Sequence, residues 1–141
     1  MLYNYSVSVI AYKKDDIKYG MTCAWFMPAD YDKFLCLLGT QSVTGHNIKK
    51  GDIIGMSILS NEQSSVATTM GDKHSNEIDK FVNIDYEIKD SAILINNASR
   101  KMVCKVIDVL HLEGIESDNL IYLNILSNEE NGDNFLQYSD V

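Results

Sequence analysis

The feature that most limits what this chain can fold into is the shortness of its apolar stretches. They alternate with a period of two or run as brief buried blocks, and turn signals separate them. Tyr3, Tyr5, Val7 and Val9 alternate with Asn4, Ser6 and Ser8, the pattern of a half-buried strand. Lys13, Lys14, Asp15 and Asp16 read as a hairpin turn, and residues 20–27 and 34–38 as the next two strands. Lys50, Gly51 and Asp52 form a turn signal before a strand over 53–59. Residues 102–110 and 120–126 read as further strands, with short extended pieces at 82–88 and 93–95.

Helix signals are few. Ser60 followed by Gln63 matches a capping box, which predicts a helix over 61–70 ending at Gly71. A shorter helix is expected over 44–49 and a helical turn over 77–81. Many strands at short spacing with few helices predict a mainly β, closed or nearly closed antiparallel barrel. The 141 residues suffice for a single domain spanning 1–141. The segment 128–141 reads as a solvated acidic loop and a frayed end. The alternative is that its aromatic cluster, Phe135 to Tyr138, folds back onto a neighbour or a ligand.

Charge narrows the partners. Twelve Lys and Arg stand against 20 Asp and Glu, a formal net charge of −8. This argues against a nucleic-acid coat, which needs a basic face, and against docking on anionic lipid. No apolar run approaches the ~20 residues of a membrane helix, and the first residues lack the pattern of a leader, so the expectation is a cytoplasmic protein. Cys23, Cys36 and Cys104 form no C-x-x-C pair and read as reduced, buried small hydrophobes. His46, His74 and His111 lie far from ligand spacing, so no metal is expected.

The stretch Tyr19-Gly20-Met21-Thr22-Cys23-Ala24-Trp25-Phe26 resembles the second-strand motif of the flavin reductase-like, FMN-binding split-barrel family. Further similarities follow in the family's order: Phe34 to Gly39, then Ser42-Val43-Thr44 with Ile48, then Ile53 to Ser60 with Gln63. Met70-Gly71, Ser75, Asp79-Lys80-Phe81 and Cys104-Lys105-Val106 complete the set. Asp30-Tyr31-Asp32-Lys33 replaces the family's Asp-Pro-Pro, Asn76 a glycine, Tyr19 a common asparagine, and Asn119 a histidine.

The resemblance implies an antiparallel Greek-key split β-barrel with a few short helices, a homodimer, and FMN near the subunit boundary. It implies that Met21 is among the cofactor-binding residues and that Thr22, Cys23 and Ala24 line the flavin through their backbone, with Trp25 packing near the ring or across that boundary. It places Ser42, Thr44, Gly45, Lys80 and Asn119 among the cofactor-binding residues. Taken alone, Thr44 and Gly45 fit either a plain N-cap or an anion seat at a helix start. Lys80 by itself reads as an exposed lysine beside Asp79; the resemblance implies instead a contact to the phosphate or to the ring edge. With the resemblance, Thr44 and Lys80 together are expected to seat the FMN phosphate.

No acid–base triad is recognisable, which counts against a hydrolase but not a flavoprotein, because a flavin carries the redox step itself. The leading expectation is an oxidoreductase that passes hydride from NAD(P)H to FMN. One alternative is a flavoredoxin-like electron carrier with a small redox protein as partner. The other is a flavin-free binding barrel.

Overall fold

The computed structural model describes residues 2–39, 42–72 and 79–141. Among these the element order is β1 (Ser8–Lys14), β2 (Ile17–Cys23), β3 (Phe26–Asp30), β4 (Lys33–Gly39), α1 (Val43–His46), β5 (Ile53–Ile58) and α2 (Ser64–Asp72). Then follow β6 (Tyr86–Lys89), β7 (Ala92–Ile95), β8 (Arg100–Leu110), β9 (Asp118–Glu130) and a 3-10 turn at Tyr138–Asp140. The strands form one antiparallel sheet in the order β3-β4-β9-β8-β5-β1-β7-β6, with β2 on the other edge of β1. It curls without closing, the Greek-key split barrel expected.

Strand β1 sets the layering, because both of its faces are covered. Ile10 and Tyr12 point into the barrel interior with Cys36, Met56, Cys104 and Leu123. Val7, Val9 and Ala11 point the other way, against Leu59, Ala67, Met70, Phe81 and Ile93. Alternate side chains on a strand face opposite sides, so a strand buried on both reads as continuously apolar. This shifts the first strand from the expected 3–9 to Ser8–Lys14, where burial is nearly continuous. Ser8 is fully buried, and its hydroxyl donates to the Cys23 carbonyl at 2.8 Å.

The hairpin turn is as expected. Lys14 pairs with Ile17, and Asp15 and Asp16 take positive φ of 52° and 65°, the two-residue turn that matches strand twist. The strand expected over 20–27 is in fact two. β2 ends at Cys23, the chain turns a corner at Ala24 and Trp25, and β3 begins at Phe26. The corner is pinned from outside, since Leu37 N–H donates to the Trp25 carbonyl at 2.9 Å.

The long helix starts later than expected, at Ser64. Half of the capping box forms: Gln63 Oε1 accepts from Ser60 N–H at 3.0 Å. Ser60 itself, however, bridges to Phe135, so the chain stays extended there and cannot yet turn into helix. The short helix covers Val43–His46, capped by Ser42 and not Thr44. Of the helical turn expected at 77–81, residues 77 and 78 lie outside the described residues. The extended piece expected over 82–88 is shortened to β6.

The frayed tail is also overturned. Ser6 bridges to Gln137, Leu136 N–H donates to the Leu59 carbonyl at 3.0 Å, and Leu136 is 1% exposed. One apolar anchor and strand-like bonds to two segments hold the chain end on the barrel.

Gly55 on β5 is where β7 crosses most closely. A Cβ there would sit 2.0 Å from the Ile93 carbonyl oxygen, a backbone atom with no rotamer to yield. Overpacking of this kind costs on the order of 1–3 kcal/mol. Gly55→Ala is therefore expected to lower the urea-unfolding free energy by at least that amount; a variant as stable as the parent would contradict the close crossing.

Candidate functional site

A groove of about 420 Å3 runs along β2, within the range of small-molecule sites. Its floor is Met21 to Trp25. Leu37 and Gly39 of β4 form one wall, and Tyr5 and Tyr138 stand over it from the two chain termini. None of these residues carries a formal charge. β2 pairs only with β1. In an antiparallel ladder a strand with one partner turns alternate backbone groups away from it. The Gly20 carbonyl takes Lys80 outside the ladder, and by the same alternation the backbone of Thr22 faces the open edge. The groove thus combines apolar walls with strand-edge amides and carbonyls.

Five of the ten residues singled out in the sequence meet here: Met21, Thr22, Cys23, Ala24 and Trp25. The Thr22 hydroxyl donates to the Ala67 carbonyl at 2.6 Å, tying β2 to α2. Trp25 is 57% exposed. Ser42 lies at the Met21 end, 3.4 Å from the Met21 sulfur, and its Oγ accepts from Gly45 N–H at 2.9 Å as the cap of α1.

The other four do not line the groove. Thr44 is buried, and its carbonyl accepts from the Tyr12 hydroxyl. Gly45 is required by packing: a Cβ would lie 2.7 Å from both Gly39 O and Ser42 Oγ. Asn119 sits on β9 opposite Leu38. Its amide nitrogen donates to Gly45 O at 3.4 Å, while its buried Oδ1 has no hydrogen-bond partner among the described residues.

Lys80 differs most from expectation. Its side chain is not a mobile, solvent-facing ammonium. The residue is 5% exposed, and Nζ donates to Gly20 O at 2.8 Å and Met70 O at 2.7 Å. It clamps β2 to the end of α2, and it borders a separate cavity behind that helix with Gln63, Val66 and Thr69. Asp79 beside it pairs with Lys18 of β2 at 2.8 Å and accepts from Phe81 N–H. The Lys18 hydrogen bond, then that of Phe81, holds the Asp79 carboxyl below its ordinary range.

Tyr5, Leu37, Gly39 and Tyr138 were missed from the sequence. Tyr5 looked like part of a strand and Tyr138 like part of a loose end; the only signal was the aromatic cluster in the tail.

All three cysteines are free and buried. Burial pushes the Cys23 and Cys104 thiols up to about 12, and raises Cys36 well above its ordinary value. Among the described residues no group of His, Cys, Asp and Glu is placed to hold a metal ion, and no helix is long and apolar enough to cross a membrane.

A sequence profile of the flavin reductase like domain matches residues 1–140. The chain belongs to this family. Solved structures agree on the fold. The NADH:FAD oxidoreductase of Streptomyces globisporus superposes with a TM-score of 0.81 at 17% identity, over 91% of this chain and 76% of that one. A flavin reductase domain protein from Arthrobacter gives 0.79 at 15%, covering 96% and 84%. Flavoredoxin from Methanosarcina acetivorans gives 0.79 at 11%, covering 93% and 71%. The Streptomyces enzyme is also known in complex with NAD and FAD fragments. A search of curated proteins found no match.

Two outcomes follow from the site's chemistry. A thiol pKa far above 8 leaves almost no thiolate at that pH. At pH 8 iodoacetamide is therefore expected to leave the native protein unmodified by mass spectrometry and to label all three cysteines in guanidinium; ready labelling of folded Cys23 would contradict its burial. Replacing Lys80 by Met removes its two hydrogen bonds to the Gly20 and Met70 carbonyls, each worth about 1.5–3 kcal/mol for a charged donor. Lys80→Met is expected to lower the thermal midpoint by several degrees, and an unchanged midpoint would show that the clamp carries no stability.

Proposed function

We propose that this protein is an FMN-binding oxidoreductase that draws electrons from NADH or NADPH, with the cofactor ring in the β2 groove. The observation that carries the reading is that the motif residues Met21 to Trp25 form the floor of an uncharged groove along a strand with one open backbone edge. A flavin ring is planar and apolar with one polar, hydrogen-bonding edge, and the groove offers matching surfaces for both. Thr22 and Ala24 present backbone groups to that polar edge, and Trp25 packs near the ring. Bound FMN would supply the redox chemistry, that of hydride transfer from reduced nicotinamide. The Streptomyces relative's named donor and its NAD and FAD fragments support a nicotinamide donor here.

Ser42, at the Met21 end, directs the ribityl and phosphate side of the cofactor. Asn119, on the strand beside Leu38, offers its unpartnered Oδ1 to a hydroxyl of that chain. Thr44, Gly45 and Lys80 support the site by holding α1 and β2 in place.

The assembly on this reading is a homodimer. β3 is an edge strand, and Met27 on it is 56% exposed next to Trp25. An uncovered apolar edge beside the groove suits a second subunit. A second reading, an electron carrier with a basic redox protein as partner, is favoured only by the net charge of −8.

The visible spectrum of the purified protein reconstituted with FMN, followed by anaerobic addition of NADH or NADPH, tests these readings in order. Bound flavin bleached by nicotinamide is the expected result. Bound flavin that a nicotinamide leaves oxidised points to the electron carrier. A protein that retains no flavin overturns both. In the same titration Lys80→Met is expected to weaken FMN and riboflavin to the same extent, because the clamp shapes β2; selective loss of FMN would return Lys80 to the phosphate.

A further inference from the structure

Three aromatic side chains from distant parts of the sequence line the groove, and two of them, Tyr5 and Tyr138, touch. Tyr5 precedes β1, Trp25 follows β2, and Tyr138 comes from the last turn of the chain.

The tail that brings Tyr138 there is held without help from its ring. Tyr138 N–H donates to Tyr5 O at 2.7 Å, and Leu136 is buried. Asn4 exchanges two hydrogen bonds with Ser139, Nδ2 to Oγ at 2.9 Å and backbone N–H to Oδ1 at 3.1 Å. The Ser64 hydroxyl of α2 donates to Asp140 O at 3.0 Å. The Tyr138 ring packs edge-on against Tyr5, with centroids 6.4 Å apart and planes at 79°, yet Tyr138 remains 51% exposed. A ring fixed by its backbone and by one edge contact, with much of its surface open beside a groove, is a preorganised stacking surface. Aromatic rings pair by offset or edge geometry, and a second planar ring gains from such a seat little entropy having been left to lose.

We propose that the C-terminal strap is part of the cofactor site: Tyr138, braced by Tyr5, packs against the planar ring of the bound flavin and is a specificity-determining residue for that ring. The inference rests on the flavin reading above. It assigns a function to the only part of the groove wall that comes from the end of the chain. It also separates ring recognition from phosphate recognition, since a stacking face meets the flavin ring and not the phosphate, and Tyr138→Phe isolates the hydroxyl. FMN and riboflavin, which share the ring and differ by the phosphate, must then respond alike to a change at Tyr138.

The test uses the full chain and three variants, Tyr138→Ala, Tyr138→Leu and Tyr138→Phe, each titrated with FMN and with riboflavin. Flavin fluorescence is one readout. Quenching of Trp25 emission is the second, because Trp25 is the only tryptophan and lies in the groove. Tyr138→Ala and Tyr138→Leu are expected to weaken both flavins by about threefold to tenfold, and Tyr138→Phe to bind both within about twofold of the parent. The Leu variant keeps apolar bulk without an aromatic face, so it reports on the ring even if Ala loosens the tail. Leu and Ala variants that bind as tightly as the parent overturn the proposal while leaving the flavin reading in place. Loss of FMN affinity alone also overturns it, by assigning Tyr138 to the phosphate. A parent that quenches neither flavin nor Trp25 overturns the proposal and the flavin reading together.

Discussion

Everything in this fold is arranged around a strand whose first five residues, Ser8 to Tyr12, have no solvent face. β1 gives Ile10 and Tyr12 to the barrel interior and Val9 and Ala11 to the layer under α2. Both edges are also used, by β2 on one side and by β5 and β7 on the other. A strand held on four sides cannot slip in register, because a one-residue shift would exchange its two cores. β2 therefore inherits a fixed position from the most constrained element in the chain. Its own outer edge is the one left open, and that is where the groove lies.

That open edge is maintained by contacts outside the ladder. Lys80 takes the Gly20 carbonyl, Thr22 takes the Ala67 carbonyl, and Leu37 takes the Trp25 carbonyl. Each anchors β2, or the corner after it, to a different neighbour: the end of α2, the body of α2, and β4. Gly20 fits the same scheme, since a Cβ there would come within 2.8 Å of Phe81 and 2.9 Å of Met70. Several residues that attract attention in the sequence as ligand contacts are thus the supports of the strand that floors the groove. Mutating them disturbs any groove occupant by moving the floor, which is why affinity for one ligand cannot by itself assign their role.

Local signals were legible in the sequence and long-range ones were not. The Asp15–Asp16 turn, the alternating strands and the ordered motif from Tyr19 onward each depend on neighbours within a few residues. They led to the architecture and to the floor of the groove. The corner at Ala24 and Trp25 depends on Leu37, the late start of α2 on Phe135, and the fold-back of the tail on Tyr5 and Leu59. No window of sequence around those positions contains the partner that decides them. Lys80 shows the same blindness in charge: flanked by Asp79, it looks solvated, and only the meeting of Gly20 and Met70 reveals two carbonyls waiting for an ammonium. Tyr138 was hidden behind an acidic run typical of loose ends.

The electrostatics of the groove divide the work of binding. No lining residue is charged, while the chain as a whole carries −8. A neutral aromatic ring enters such a groove without opposing the protein's field, and its burial is favoured by area and stacking. On the proposed reading the phosphate lies at the Ser42 end, where the cap hydroxyl is already shared with Gly39, Gly45 and Met21. On the proposed reading, then, most of the affinity comes from the ring and the phosphate is tolerated more than it is gripped. On that reading the barrel holds its flavin by the part that reacts, and Tyr138 of the C-terminal turn supplies part of the closing wall.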